Sequence, residues 1–548
     1  MTSVDREARN THSPERRLRR AFLIVLLLSL GCLYLHSLGQ ERNCRVAVSL
    51  IDANTKKPLS GVIRCTLQAT GEVIPIPGLL NRGQGVGVVD RLQGRTTPEK
   101  IPIRDWYVLP GSAEIDLPRQ PVKLEAFSGL ETERTEVSID LSAKTRDSQA
   151  LALRSFSQTQ QRAWFAGNTH LHLYGLTRPE ADRYLAEVPQ ADRLDVLFTS
   201  HLLRPSEDAS YVSNQYPIGD LKGLGGTRVL MNNGEEHRNN FKAYGPGYGH
   251  VMFLNIKQLV QPVSIGPGIT GKGTDGVPLQ QGIDEAHRQG GTTIWCHNGA
   301  GTERVPNFVS GKVDAQNIFD GNAQERYEDT FYHYLNAGLR VPFSTGTDWF
   351  LYDLSRVYAR VRGSLGIQSW LDALEAGRTF ITNGPLLDLK VGGKDIGEIV
   401  RLGAAGDVAV EGRATGRVDF ETLELVQNGK IVSAVRTEPS RNHYVASIRQ
   451  KVRIESSAWL ALRISSGKSN EYGRRLFAHT SAVYLEVGRK GLRMPQEVDF
   501  LVKETEQARD LVAAKAVFAS SEERQRVLAV YENALNLLRK SPKAALDR

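Results

Sequence analysis

The chain has 548 residues, a length that suggests about three domains rather than a single hydrophobic core. Its formal net charge is +8, but six arginines crowd the first 20 residues and the remaining excess is too diffuse to indicate a nucleic-acid-binding protein. The four cysteines are too few for a disulfide-rich scaffold and lack the spacing of a zinc ribbon.

An uncharged apolar segment follows the basic N-terminus, over residues 21–35. Its length suits the apolar region of a signal peptide better than a full membrane span. Ser37 and Gly39 are small residues placed as a cleavage site requires, and an uncleaved anchor is the alternative. We therefore expect residues 1–39 to be a signal peptide or N-terminal membrane anchor. The protein would be exported, and would be periplasmic, secreted or tethered to the membrane by residues 21–35.

Residues 44–163 contain short runs in which apolar and polar residues alternate, separated by Asn, Gly and Pro. This pattern predicts antiparallel strands in a small β-sandwich. The stretch VSLIDANTKKPLSGVI resembles the first hairpin of a carboxypeptidase-regulatory-like or other Ig-like module, which implies a structural or positioning role. Cys44 and Cys65 flank a predicted strand pair and could form a disulfide in an oxidising compartment, a pairing that the sequence leaves open.

From residue 164 to 384, apolar runs alternate with helical stretches such as PEADRYLAEVPQADRL and LQQGIDEAHRQGG. This alternation predicts an α/β domain with a largely parallel sheet. Several apolar runs begin or end at a residue that can bind a metal or transfer a proton, namely His201, Glu235, Glu236, His237, His250, His297 and Asp348. Such strand ends are expected of a β/α barrel, whose site is built at the carboxyl ends of its strands.

The stretch GNTHLHL places His170 and His172 one residue apart at the end of an apolar run. Residues i and i+2 of a strand point to the same face, so both imidazoles would reach one space. That arrangement presents two metal ligands, although an H-x-H pair alone is weak evidence because surface histidines often produce one by chance.

After the central region the alternating pattern returns, with an Asn428-Gly429 hairpin turn, and predicts a second β-sandwich over residues 385–490. Residues 495–540 have a helical pattern, and Ser520 with Glu523 predicts a capping box. We therefore expect a C-terminal helical hairpin that packs on the rest of the protein.

The order of these motifs resembles the PHP (polymerase and histidinol phosphatase) superfamily of metal-dependent hydrolases. H-x-H is followed by a strand ending in T-x-H, then G-x-E, G-H, a strand ending in His, and T-G-T-D. GTDWF, SRVYARV, LDALEAGRTFITNGPLLDLKVGG and LFAHTSAVYLEV are similar to the carbaryl-hydrolase-like (CehA/McbA) branch. The resemblance covers roughly residues 164–487. It implies an α/β fold with a PHP-type distorted β/α barrel, here flanked by the two β-sandwich domains.

The resemblance also implies a site for two divalent metal ions, which would be Zn, Mn or Fe. One ion would be held by His170, His172, Glu236 and Asp348, and Glu236 would bridge to a second ion held by His250 and His297. Imidazole and carboxylate ligands suit these metals, and a bridging carboxylate can hold two cations close enough to share a hydroxide. Glu235 competes with Glu236 for this role, and the G-x-E pattern favours Glu236.

Two positions depart from the superfamily pattern. Ser200 stands where Asp is usual, and Phe350 stands where a histidine often follows the last Asp by two residues. Both positions belong to a third metal in trinuclear members, so we expect at most two metals. His201 is then left as a ligand-replacing, substrate-facing or proton-transferring side chain.

The implied activity is hydrolysis of an ester, carbamate, amide or phosphoester bond in a small-molecule substrate by a metal-activated water. Asp348 would accept the proton of the water, and His201 would protonate the leaving group. Arg178 and Arg238 could bind an anionic substrate, although solvated surface charge explains them equally well. The alternative is a non-catalytic envelope binding protein with a degenerate, metal-stabilised PHP domain. No nucleic-acid partner is expected.

Overall fold

The computed structural model describes residues 43–86, 101–157, 159–203, 208–221, 223–224, 228–242, 245, 247–298, 300–320, 327 and 331–540. The expected signal or anchor segment lies outside these residues. The described chain is mixed α/β with several sheets. None of its described helices combines the length and apolar character needed to span a membrane.

The described part of the N-terminal region consists mainly of β-strands. Its strands are β1 (Asn43–Asp52), β2 (Gly61–Leu67), β3 (Leu80–Asn81), β4 (Tyr107–Leu109), β5 (Ser112–Pro118), β6 (Pro121–Phe127), β7 (Thr135–Asp140) and β8 (Arg146–Leu153). One sheet has the order β5-β1-β8 and a second has the order β3-β4-β2-β6-β7. Both sheets contribute side chains to a single buried apolar cluster, which includes Val46 of β1 and Leu124 of β6.

Strand β1 illustrates why this region folds as it does. Cys44, Val46, Val48 and Leu50 alternate with more exposed residues, and all four are buried, so the period-2 pattern places one face of the strand on the core. Cys65 of β2 lies in the same cluster. Both thiols are free, so the disulfide that the sequence left open is not formed in this structure.

The central part alternates strands with helices. Its strands are β9 (Trp164–Asn168), β10 (Leu171–His172), β11 (Val196–His201), β12 (Gly219–Asp220), β13 (Leu230–Asn239), β14 (Gly249–Leu254), β15 (Ser264–Ile265), β16 (Thr292–Trp295), β17 (Ala315–Asn317), β18 (Phe343–Ser344), β19 (Asp348–Trp349), β20 (Arg356–Arg360) and β21 (Thr379–Thr382). Its helices are α1 (Arg178–Ala191), α2 (Pro267–Thr270), α3 (Leu279–Arg288), α4 (Arg304–Val309), α5 (Phe331–Asn336) and α6 (Ile367–Glu375). Helices α1 and α3 confirm the two helical stretches quoted from the sequence.

The expectation of a largely parallel sheet is wrong, because the central sheet is mixed. Strands β9, β11 and β13 are parallel neighbours, and β16, β17 and β18 form a second parallel group. Strand β14 runs antiparallel between β13 and β16, and β20 runs antiparallel to β9 and β21. The connection from β13 to β14 is too short for the crossover that parallel strands require, so it returns directly as a hairpin.

The C-terminal β region contains β22 (Leu386–Val391), β23 (Lys394–Asp395), β24 (Ile399–Leu402), β25 (Gly406–Gly416), β26 (Thr422–Gln427), β27 (Lys430–Arg436), β28 (Glu438–Ser440), β29 (His443–Ile454), β30 (Ala458–Ser465), β31 (Ala478–Thr480) and β32 (Val483–Val487). Five strands form a sheet of order β23-β22-β25-β29-β28. Asn428 and Gly429 both have positive φ and join β26 to β27, which confirms the predicted turn.

The remaining strands of this region are continuous with the central sheet. Strand β31 pairs antiparallel with β21, with Ile381 opposite His479, and β30 pairs with β31, β26 and β32. A ladder of backbone hydrogen bonds therefore crosses the boundary that the sequence suggested after residue 384.

The last two described helices are α7 (Pro495–Lys515) and α8 (Ser521–Arg539), which pack on each other and on α4. The hydroxyl of Ser520 accepts from the backbone N–H of Glu523 (3.3 Å), as the predicted capping box requires. The Glu523 carboxylate accepts from the N–H of Ala519 (2.7 Å), one residue before the cap. Tyr531 and Thr302 share a hydrogen bond of 2.8 Å that ties the hairpin to the central region.

A buried arginine links the N-terminal and C-terminal β regions. Arg417 donates through Nη1 to the carbonyl oxygens of Gly129 (3.0 Å) and Thr132 (2.8 Å), and its Nε pairs with the Glu471 carboxylate. Both charged side chains are only 5 to 6% exposed. Removing one partner of such a pair leaves the other charge buried without compensation.

We expect Arg417→Met to lower the free energy of unfolding by about 3–5 kcal/mol, because Glu471 keeps its buried charge without a partner. Chemical denaturation of the purified variant measures this loss. A double variant, Arg417→Met with Glu471→Leu, should recover much of it. Equal losses in the single and double variants would show that the ion pair is not the cause.

Candidate metal centre

The H-x-H pair meets Asp348 because two short strands pair. Strand β10 lies parallel to β19, with Leu171 opposite Asp348. The backbone N–H of Asp348 donates to the carbonyl oxygen of His170 (2.9 Å). His170 and His172 present their rings to one space, as strand alternation predicts, with their Nε2 atoms 3.0 Å apart.

Four buried donor atoms form a first group, which we call the four-ligand group: Nε2 of His170, Nε2 of His172, Oε2 of Glu236 and Oδ1 of Asp348. Glu236 Oε2 lies 3.2 Å from His172 Nε2 and 4.0 Å from His170 Nε2. Asp348 Oδ1 lies 3.5 Å and 3.7 Å from the same two nitrogen atoms. The group has the donor types and the spacing that can hold a metal ion.

The second carboxylate oxygen of Glu236 belongs to another group, the three-ligand group. Glu236 Oε1 lies 2.8 Å from Nδ1 of His250 and 3.6 Å from Nε2 of His297. His250 Nδ1 is buried, and its neighbouring acceptor is this oxygen atom of Glu236. Glu236 therefore directs one oxygen atom into each group.

Strand β13 explains why Glu236, rather than Glu235, lies in the centre. Successive side chains of a strand point to opposite faces. Glu235 accepts from the N–H of Val260 (2.7 Å) and lies 3.0 Å from Nδ1 of His237, so both side chains occupy the other face. The adjacent antiparallel strand β14 begins at Gly249, which brings His250 to the same edge of the sheet as the end of β13.

The outer hydrogen bonds of the four imidazoles fix which ring nitrogen atom of each histidine faces the two ligand groups. His170 and His297 contact Asp320 through Nδ1, at 2.7 and 3.0 Å. His172 Nδ1 contacts the Ser200 carbonyl oxygen (3.0 Å), and His250 Nε2 contacts Asn240 Oδ1 (2.9 Å). An N–H on each of these outer atoms leaves the inner nitrogen atom as a lone-pair donor, which is the tautomer that a metal-bound histidine adopts.

Asp320 is the member of the centre that our sequence analysis missed. It is fully buried, and its two carboxylate oxygens bind one histidine from each group. Asn317 Nδ2 donates to the same carboxylate (3.0 Å). The sequence did contain a pattern that could have indicated Asp320. This residue closely follows the buried strand β17, just as the predicted ligands lie at the ends of their own strands.

The electrostatics of the centre favour a positive ion. Burial lowers the pKa of His170, but the charges of Asp320 and Asp348 outweigh it and raise the pKa to about 9. Burial lowers the pKa of His172 and that of His250 to about 4. Burial also raises the pKa of Asp348, to about 7. Carboxylates thus attract positive charge into a site from which water is largely excluded, and a metal ion can supply that charge in place of a proton.

The structure does not bring His201 or Arg178 into either ligand group. His201 Nε2 bonds to the carbonyl oxygen of Tyr216 (2.9 Å), and burial lowers the pKa of this imidazole. Arg178 pairs with Asp182 (2.9 Å), donates to the Gln215 carbonyl oxygen (3.0 Å) and stacks over the Tyr216 ring.

Arg238 and the two departing positions lie closer to the centre. Arg238 follows Glu236 by two residues on β13 and lies opposite His250 in the neighbouring strand. The charge of Arg238 adds to the effect of burial in lowering the pKa of His250. Ser200 contributes its backbone carbonyl oxygen rather than a carboxylate, and Phe350 is fully buried against the ring of Tyr184.

Comparison with protein-family models and with curated proteins finds no match for this chain.

We expect Glu236→Gln to abolish tight metal binding, since it removes the charge shared by both ligand groups. Glu235→Gln is the matched control, because it changes the neighbouring residue on the opposite face of β13. Elemental analysis after dialysis against Zn²⁺ or Mn²⁺ measures the metal content of both. Equal metal content in the two variants would contradict the assignment of Glu236.

We expect Asp320→Asn to weaken metal binding by about 10- to 100-fold, the usual effect of removing the outer partner of a metal-bound histidine. Competition with a chromophoric chelator measures the affinity. Asp314→Asn offers a control, because Asp314 makes a similar contact with His287 (2.9 Å) outside both ligand groups. An unchanged affinity in Asp320→Asn would refute the positioning role of Asp320.

Proposed function

We propose that this protein is an exported, metal-dependent hydrolase of the PHP type with a binuclear centre. One observation carries the proposal: Glu236 directs Oε2 to His172 in the four-ligand group and Oε1 to His250 in the three-ligand group. A carboxylate shared in this way is the usual bridge in two-metal hydrolytic sites. The motif order that resembles the PHP superfamily supports the same proposal.

The distorted barrel that the resemblance implies has support in the side-chain contacts of the central sheet. Strand β9 pairs with β11 on one side and with β20 on the other. The sheet continues from β11 as far as β18 and from β20 to β21, so β18 and β21 belong to opposite arms of the sheet. The hydroxyl of Thr379 on β21 donates to the carbonyl oxygen of Phe343 on β18 (2.7 Å). This contact brings the two arms together, as closure of a barrel requires.

The ligand set favours Zn, Mn or Fe over magnesium or calcium, because four of its six residues are histidines. Two such cations would lower the pKa of a coordinated water and polarise the oxygen atom of the scissile bond. The residues themselves hold the site rigid: Asp320 orients His170 and His297, and the Ser200 carbonyl oxygen orients His172.

Differences in exposure indicate the side from which a substrate would enter. The side chains of His170 and His172 are fully buried, whereas those of His250 and His297 are 17% and 23% exposed. Asp348 is 10% exposed and faces the same space as the two buried histidines. Because Asp348 is the most exposed member of the four-ligand group, we assign it to accept the proton of the attacking water.

The other proposed roles differ in their support. Arg238 lies on the ligand face of β13, so it remains our candidate for an anionic group of the substrate. Arg178 and His201 stay sequence predictions, and their contacts with Asp182 and Tyr216 give the proposed mechanism no support.

We expect the full chain, loaded with Mn²⁺ or Zn²⁺, to hydrolyse members of a panel of p-nitrophenyl esters, carbamates and phosphoesters. A variant with His170→Ala and His172→Ala should lose the metal of the four-ligand group and at least about 1,000-fold in kcat/KM, since the water is no longer activated. Metal content and release of p-nitrophenol are the two measurements. Two metals without turnover on any substrate would favour the non-catalytic binding protein instead.

A further inference from the structure

A short segment of the N-terminal β region, residues 81–86, packs against the loop that follows Asp348. We call residues 81–86 the Arg82 segment and residues 349–353 the Asp348 loop. Arg82 is fully buried, and its Nη1 and Nη2 donate to the carbonyl oxygens of Leu351 and Asp353. The Asp192 carboxylate holds the same guanidinium through Nε (3.3 Å) and Nη2 (2.5 Å).

A second contact joins the segment to the loop. Gly85 lies against the ring of Phe350, and a Cβ atom at this position would approach the ring to 2.4 Å. Gly85 also has a φ of +84°, which disfavours any other residue. The ring of Phe350 is fully buried and packs edge-to-face on the ring of Tyr184, so a side chain at Gly85 would have to displace a buried ring.

The Asp348 loop needs such support because its backbone is strained. Asp348 has a φ of +61° and Phe350 a φ of +50°, both in the left-handed region that non-glycine residues avoid. Each such residue costs about 1 kcal/mol or more and persists only where its surroundings hold it. The peptide groups of Leu351 are held on both sides, since its N–H donates to the Tyr184 hydroxyl (2.8 Å) and its carbonyl oxygen accepts from Arg82.

We infer that Arg82 is a positioning residue for the metal ligand Asp348, so that the N-terminal β region helps to hold the metal centre. The inference deepens the proposed function and rests on it, because it assumes a metal ion in the four-ligand group. Arg82 touches neither metal nor substrate. It acts by holding the strained loop on which Asp348 depends.

The two ligand groups provide a readout that a merely structural role would not affect. Asp348 is a member of the four-ligand group and not of the three-ligand group, and outside its own group its carboxylate also lies within 4.8 Å of ligand atoms of His297 and Asp320. Loss of the Arg82 contacts should therefore weaken one metal site selectively. A general loss of stability would instead affect both sites together.

The experiment titrates Zn²⁺ into the full chain and three variants, Arg82→Met, Gly85→Ala and Arg417→Met. Arg417→Met is the matched control, because Arg417 is also a buried arginine that joins the N-terminal β region to the rest of the chain, without contacting the Asp348 loop. Circular dichroism verifies folding, and chelator competition with elemental analysis gives both affinities. Gly85→Ala keeps the proposal testable if Arg82→Met does not fold.

We expect Arg82→Met and Gly85→Ala to bind one Zn²⁺ with normal affinity and the other about 10- to 100-fold more weakly, with both sites unchanged in Arg417→Met. Two unchanged affinities in Arg82→Met or Gly85→Ala would overturn the inference. So would equal weakening of both sites in all three variants. A wild-type chain that binds no Zn²⁺ would overturn the proposed function and the inference with it, whereas selective weakening without any hydrolysis would overturn the proposed function alone.

Discussion

Burial of the Glu236 carboxylate among four imidazoles constrains the arrangement of the side chains around it. Burying an ionised carboxylate is costly unless opposite charge and hydrogen bonds compensate it. Here the compensation comes from imidazoles carried by strand ends that converge at one edge of the central sheet, whereas Asp320 and Asp348 add negative charge and increase the need for cations. The arrangement is stable as a whole only if cations, whether protons or metal ions, occupy the space between these groups.

This constraint also explains how the outer contacts are organised. Each imidazole binds an oxygen atom outside the ligand groups, so its ring cannot rotate and its inner nitrogen atom keeps one orientation. The support continues outward through Asp320 and Asn317, and through the Asp348 loop to Arg82. Precision at a metal site depends on such outer partners as much as on the ligands.

Local patterns predicted a good part of this arrangement, because they depend on strand geometry alone. Alternation along a strand places His170 with His172, and it separates Glu236 from its neighbour Glu235. The sequence did not show that the strand of His250 runs antiparallel, which the connection between β13 and β14 decides. It could not indicate Arg82 either, because an arginine 266 positions before Asp348 acquires its role only when distant parts of the chain pack together. Asp320 was accessible to the strand-end argument and was overlooked.

The pairing of β31 with β21 has a consequence for how this chain can be divided. Strand β21 is hydrogen-bonded on one side to β20 and on the other to β31, so a protein that stopped at residue 384 would expose an unpaired edge. Exposed edges of this kind recruit strands from other molecules and lead to aggregation. The central and C-terminal regions are thus inseparable in practice, and a shortened gene that encoded the ligand-bearing residues alone would be expected to yield insoluble protein.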